Sequence, residues 1–345
     1  MSQDLTRGNE PGKSAGDSNK LSASVHNYAR GDVPAYVKEN NEQALRDLLE
    51  ILALTPVATQ PATRDPDQPG RPSYPITTFS GRSINTTWMR IFGGQVIAQA
   101  LRAASMTVEA ARPCHSMHAY FMRPGDPSAP LVFDTAHLRD GKSFTTRQVN
   151  VAQHGETIFT ATCSYQTVQD GISHVAAAMP DVATPDQLPG PDDLTDAQKE
   201  RIAPHMLAYW NRPRPFEIRF ASLDRLSSDR SAETTQHLWV KACCAFPDET
   251  VLHQTLLAYA SDFTLLDTAL SAHGRPMFDA QMQMASLDHA MWFHAPVRMD
   301  DWLLLAQASP WSGMARGLGL GHVFDRAGTL VATVGQEGLL RVKRS

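Results

Sequence analysis

Apolar residues recur at helical spacing along 41–54, where Ala44, Leu45, Leu48, Leu49, Leu52 and Leu54 predict an amphipathic helix. Thr55-Pro56 ends it, because proline cannot continue the hydrogen-bond ladder. The six prolines between 56 and 75 predict an extended connector. Gly93-Gly94-Gln95 then opens an apolar helix over 96–106. Strand-like runs follow at 115–122, 130–138, 145–153 and 157–167, with Gly155-Glu156 placed between the last two as a hairpin turn. Residues 180–198, rich in Pro and Asp, predict a linker. Beyond it come strands at 216–221 and 237–244, a helix over 252–271, and strands at 282–294, 302–308, 316–324 and 329–342. Residues 1–40 are rich in Ser, Gly, Asn, Asp and Lys without periodicity, and are expected to be largely disordered.

The second half thus repeats the order of the first. Tyr120-Phe121-Met122-Arg123-Pro124 parallels Trp292-Phe293-His294-Ala295-Pro296, and the turn glycine Gly155 parallels Gly328. These two anchors lie at nearly equal offsets, which favours an internal duplication over chance. A long apolar helix followed by antiparallel strands predicts an α+β fold with a sheet wrapped around each helix. Two such units side by side would pair their edges into one continuous sheet and so protect them. The expected organisation is an N-terminal extension over 1–75 with one helix near 41–54, a first unit over 76–179, a linker over 180–212 and a second unit over 213–345.

Three polar positions interrupt this pattern. Asp262 has Ala258, Tyr259, Leu265 and Leu266 as its helical neighbours, and a carboxylate on such a face is costly to bury unless hydrogen-bonded. It reads either as a general base in a cleft or as a helix-edge carboxylate reaching solvent. Gln336 is the one polar side chain on the face Leu330, Ala332, Val334, Gln336, Gly338, Leu340, Val342, and is either a site residue or a satisfied structural amide. Period two places Ser286 on one face with Met284, Ala290 and Trp292, where a serine is commonly a small filler. Asp267, with Thr264 and Ser271 in reach, reads as a solvated residue.

Other motifs point away from familiar chemistries. No G-x-S-x-G elbow occurs, so an acyl-serine mechanism has no motif behind it. Gly317-Leu318-Gly319-Leu320-Gly321 lies among strands and is not a dinucleotide fingerprint. His289 and His294, like His115 and His118, fall on opposite strand faces and cannot chelate a metal together. His115 is a second-tier candidate. Arg212, Arg214, Arg219, Arg341, Lys343 and Arg344 are candidates to meet phosphates, although such residues commonly face water.

Composition adds bounds. The chain is 42% hydrophobic and 19% charged, ordinary for a globular protein, and its formal net charge of −5 gives no reason to expect nucleic acid as a partner. Cys114, Cys163, Cys243 and Cys244 show no C-x-x-C spacing and are expected as reduced, buried thiols. No apolar run approaches the length of a membrane span, and no signal-peptide core or S-K-L end is present, so a cytoplasmic location is expected.

Together these blocks resemble a known family. Leu257-Ala258-Tyr259-Ala260-Ser261-Asp262, Ala285-Ser286-Leu287-Asp288-His289-Ala290-Met291-Trp292-Phe293-His294 and Val334-Gly335-Gln336-Glu337-Gly338 resemble the acyl-CoA thioesterase II family. In the first half, Phe92-Gly93-Gly94-Gln95-Val96, Tyr120-Phe121-Met122-Arg123-Pro124-Gly125-Asp126 and Leu138-Arg139-Asp140-Gly141-Lys142-Ser143-Phe144 agree. The resemblance implies a double-hotdog fold, assembly into a homo-oligomer (dimer or tetramer), and hydrolysis of fatty acyl-CoA to free acid and CoA without metal or cofactor. It also implies a catalytic trio of Asp262, Ser286 and Gln336, with Asp262 as general base and the other two orienting the water. Ser286 stands where many relatives have Thr, which keeps the hydroxyl. A non-catalytic acyl-CoA-binding protein is the competing expectation, against which the intact trio argues. A hydratase is disfavoured because no D-x-N-P-x-H segment occurs.

Overall fold

The computed structural model describes residues 38–62, 73–84, 90–227, 232–276 and 279–343. The reading of 1–40 as disordered falls almost wholly outside these residues. Helix α1 (Lys38–Leu52) buries Leu45, Leu48, Ile51 and Leu52 on one face, as its spacing predicts. It docks on helix α2 (Gly93–Ser105), where Gln99 Nε2 donates to the Ile51 carbonyl at 3.0 Å and to the Arg82 carbonyl at 2.9 Å. Nearly every α2 residue is buried, the polar Gln95, Gln99 and Ser105 included.

The strands of the described residues form one antiparallel sheet. They are β1 (Thr55–Gln60), β2 (Ile76–Gly81), β3 (Cys114–Phe121), β4 (Leu131–Asp140), β5 (Phe144–Gln153) and β6 (Glu156–Gln166) in the first half. The second half contributes β7 (Phe216–Phe220), β8 (Thr235–Ala242), β9 (Met282–Ser286), β10 (Asp288–Phe293), β11 (Leu303–Gly313), β12 (Arg316–Asp325) and β13 (Leu330–Val342). Their order is β1-β2-β4-β5-β6-β3-β10-β13-β12-β11-β8-β7, with β9 also pairing β13. The halves meet at β3 and β10, where Met291 lies opposite Met117. That seam pairs two edges that would otherwise be open.

Three expectations change here. The stretch after α1 is not only a connector, since β1 pairs with β2 and extends the sheet. The linker does more than connect. Val182 and Leu188, with Ala177 and Met179 just before the linker, cover Trp239, Trp302, Leu304 and Phe324 on the outer sheet face, and helices α3 (Asp196–Arg201) and α4 (Pro204–Asn211) follow. The single helix over 252–271 is two, α5 (Thr250–Ser261) and α6 (Leu265–Ser271), broken at 262–264. Asp, Phe and Thr are mediocre helix formers in succession, and the Thr264 hydroxyl is drawn to Gln307 Oε1 at 2.8 Å. Helices α2 and α5 pack against each other beneath the sheet, while α6 lies against β11, β12 and β13.

Candidate active site

The break after α5 makes Asp262 the helix's C-terminal cap rather than a mid-helix residue. Its carboxylate turns toward β13, and Gln336 Nε2 donates to Asp262 Oδ1 at 2.7 Å. The same nitrogen donates to Ser286 Oγ, also at 2.7 Å. The three residues read from the sequence are therefore brought together, with Gln336 between the other two. Gln336 is buried, and its Oε1 has no hydrogen-bond partner among the described residues.

Ser286 reaches this position through a β-bulge. Along β13, Gly335 pairs with Ala290 of β10, but Gly338 pairs with Ser286 of β9. Three steps on β13 thus match four on the opposite strand, and one extra residue inverts which face each side chain takes. In β10 the odd positions His289, Met291 and Phe293 are buried. In β9 the even positions share the inner face with Gly338 and Leu340. The expectation that Ser286 shares a face with Ala290 and Trp292 is therefore wrong, because it assumed unbroken period two. Trp292 lies on the outer face against His118, 38% exposed. Met282 and Met284 pack with Leu266, Ala269, Leu270 and Leu340 in a small cluster. Strand β3 carries a register slip at the matching place, between Cys114 and Ser116.

Burial lifts the Asp262 carboxyl from its ordinary value to about 6, while hydrogen bonds from Gln336 and the Gly94 N–H pull the other way. Desolvation wins, because both donors are neutral. The glycines at the start of α2 let this contact form. A Cβ on Gly93 would sit 2.6 Å from Asp262 Oδ2, and one on Gly94 would sit 2.4 Å from the Tyr259 carbonyl oxygen. Reading the sequence found the Gly-Gly pair as a helix opening but missed this role, whose only trace was the pair itself. Phe92, Tyr259 and Phe263 pack around the same point, with ring centroids 5.1 to 5.7 Å apart.

Of the remaining candidates, Arg212 lies over the Tyr209 ring, 4.0 Å from its centroid, and Arg344 lies outside the described residues. His115 bonds Ser164 Oγ at 2.8 Å and stacks edge-on against Phe144. Arg214 donates to the Trp210 carbonyl at 2.7 Å, and Arg219 donates to Asp193 at 2.8 Å. An open cavity of about 640 Å³ is lined by Asp186, Glu217, Arg219, Lys241 and Trp302, but it lies on the outer sheet face and its cations are paired. Asp267 is buried, 3.5 Å from Arg225 Nη2, rather than solvated, because the helix break re-aims α6. Cys114 and Cys163 are buried thiols as expected, but Cys243 and Cys244 are only half-buried. No group of three or more metal-ligating side chains, and no helix long and apolar enough to cross a membrane, occurs among the described residues.

Residues 211–339 match the family described as acyl-CoA thioesterase, and residues 84–166 match the acyl-CoA thioesterase N-terminal domain. The chain is 35% identical over 263 residues to acyl-CoA thioesterase 2 of Haemophilus influenzae, covering 76% of this chain and 92% of that protein. It is 37% identical over 266 residues to acyl-coenzyme A thioesterase 8 of Mus musculus, covering 74% and 82%. Among solved structures, the acyl-CoA thioesterase II TesB2 from Mycobacterium marinum superposes with a TM-score of 0.65 at 38% identity, covering 86% of this chain and 98% of that one. A protein described as having the hot dog fold, from Alicyclobacillus acidocaldarius, shares the fold with a TM-score of 0.64 at 20% identity, covering 86% and 98%. The chain belongs to the acyl-CoA thioesterase II family, as a double-hotdog enzyme that hydrolyses acyl-CoA thioesters.

Proposed function

We propose that hydrolysis proceeds by direct attack of water on the thioester carbonyl, with Asp262 as general base and Ser286 and Gln336 orienting the water. The observation that carries this reading is the single Gln336 nitrogen held 2.7 Å from both Asp262 Oδ1 and Ser286 Oγ. Both amide hydrogens of Gln336 are then engaged. Its Oε1 remains free to accept one water hydrogen, and Asp262 accepts the other. Ser286 accepts through Oγ, so its own hydrogen is available to the water or the substrate carbonyl.

As water attacks, its proton passes to Asp262 and the carbonyl oxygen becomes an oxyanion. Collapse breaks the C–S bond, and protonated Asp262 returns the proton to the departing sulfur. A carboxyl near 6 suits both steps, being largely ionised at neutral pH yet more acidic than an ordinary thiol at roughly 8.5. The products are a free fatty acid and CoA.

The test is Asp262→Asn assayed by thiol release from a medium-chain acyl-CoA. Loss of the base should lower kcat by at least about 10²-fold. Turnover within threefold of wild type would remove Asp262 from this role.

A further inference from the structure

Two neighbouring residues beside the trio, Asp288 and His289, are absent from the mechanism above, yet each touches the machinery that aims one of its members. They occupy the first two positions of β10, so their side chains leave on opposite faces.

Asp288 acts at the bulge. The extra residue disturbs the β-ladder beside Glu337. Leu287 N–H still donates to the Glu337 carbonyl at 2.9 Å, but the Glu337 N–H donates to a side chain, Asp288 Oδ1, at 2.7 Å. The carboxylate stands in for the strand carbonyl that the bulge removes. An unbonded N–H here would favour sliding back into unbroken register, and that slide would turn Ser286 away from Gln336.

His289 acts on the other side. It is fully buried, and its Nε2 lies 2.9 Å from Ser261 Oγ. Ser261 Oγ lies 2.8 Å from the Ala258 carbonyl, its shortest acceptor, with Met291 Sδ at 3.7 Å as a weaker one. With the Ser261 hydrogen on the Ala258 carbonyl, the ring carries its proton on Nε2 and donates to Ser261, and Nδ1 has no partner among the described residues. The chain His289 to Ser261 to Ala258 clamps the last turn of α5, and the next residue is Asp262.

We propose that Asp288 and His289 are a positioning pair for hydrolysis, Asp288 holding Ser286 through the bulge and His289 holding Asp262 through Ser261. This rests on the reading of Asp262 and Ser286 as site residues. Neither member of the pair touches substrate. Their effect is on geometry, where a displacement of about 1 Å can cost roughly 10²-fold in rate.

The experiment compares His289→Leu and Asp288→Ala with the conservative His289→Gln and Asp288→Asn, which keep a donor and an acceptor. Each is assayed for kcat, KM and the pH profile of kcat. Among the described residues the Asp262 carboxylate is set by burial, the Gln336 amide and the Gly94 N–H, so the acid limb reports its placement. The expected result is kcat lower by about 10–100-fold in the Leu and Ala variants with KM within about twofold. The acid limb should move in His289→Leu, and the conservative variants should recover most of the rate. Leu and Ala variants that melt like wild type and keep its kcat and pH profile would overturn the proposal.

Should His289→Leu not fold, Ser261→Ala breaks the same clamp without removing the ring. It should lower kcat similarly. Full activity of Ser261→Ala would overturn the His289 arm. Asp262→Asn is run in parallel. If it stays active the base assignment fails, whereas loss there with unchanged positioning variants sinks the pair alone.

Discussion

The amide nitrogen of Gln336 lies 2.7 Å from the Asp262 carboxylate, across 74 residues of chain. It is the hydrogen bond that most favours the charged form of that carboxylate against burial. Gln336→Ala should therefore raise the Asp262 pKa further and strand its charge. We expect kcat to fall by 10²-fold or more, with the midpoint of the acid limb moving up from wild type. A steady-state pH series on one acyl-CoA measures both, and an unmoved midpoint would contradict the assigned coupling.

In the wild-type enzyme kcat should fall as pH drops through about 6, because Asp262, the proposed base, is protonated there. Stability should move the other way. The folded-state pKa lies above the unfolded value, so the native state binds more protons between about 4 and 6 and Asp262 costs stability as pH rises through that window. Asp262→Asn should consequently melt higher than wild type at pH 8, by an amount that shrinks below pH 4. Calorimetry at several pH values checks this, and a lower melting temperature at pH 8 would contradict it.

His289 carries the opposite sign. Burial depresses it from 6.5 to about 4, so the unfolded chain binds the extra proton first. Stability from the neutral ring is present above pH 6.5 and is lost as pH falls toward 4, by on the order of 3 kcal/mol. His289→Gln should flatten that slope, as read from urea midpoints across this range.

Glycine substitutions should separate packing from backbone freedom. At Gly94 an added Cβ would lie 2.4 Å from both Phe92 Cε1 and the Tyr259 carbonyl oxygen, and a backbone carbonyl in a packed helix cannot step aside. Gly94→Ala should destabilise by at least about 2 kcal/mol and abolish activity, since α2 and α5 must part. At Gly155, with φ +78° and nothing within 4 Å, alanine meets only backbone strain. It should cost about 1 kcal/mol and leave kcat unchanged.

Much of this protein is visible in its alternation of apolar and polar residues. The strands of β3 to β6 and β11 to β13 announce themselves because each has one face in the core, and period two survives in the sequence. The polar exceptions Asp262 and Gln336 stand out for the same reason, and long motifs point to the family.

Other features were settled by contacts between distant segments, which no local pattern encodes. The sequence predicts one helix over 252–271 and one strand over 282–294. The break at 262–264 and the bulge at 286–288 contradict both, and these two irregularities aim Asp262 and Ser286 at Gln336. A bulge needs a partner strand to be offset against, and the Asp288 carboxylate can replace a ladder carbonyl only where β13 presents the Glu337 N–H. Residue identities alone thus determined which faces are buried and which polar groups sit among them. Only the tertiary structure decided which of those groups meet, because their separation depends on where the regular periods fail.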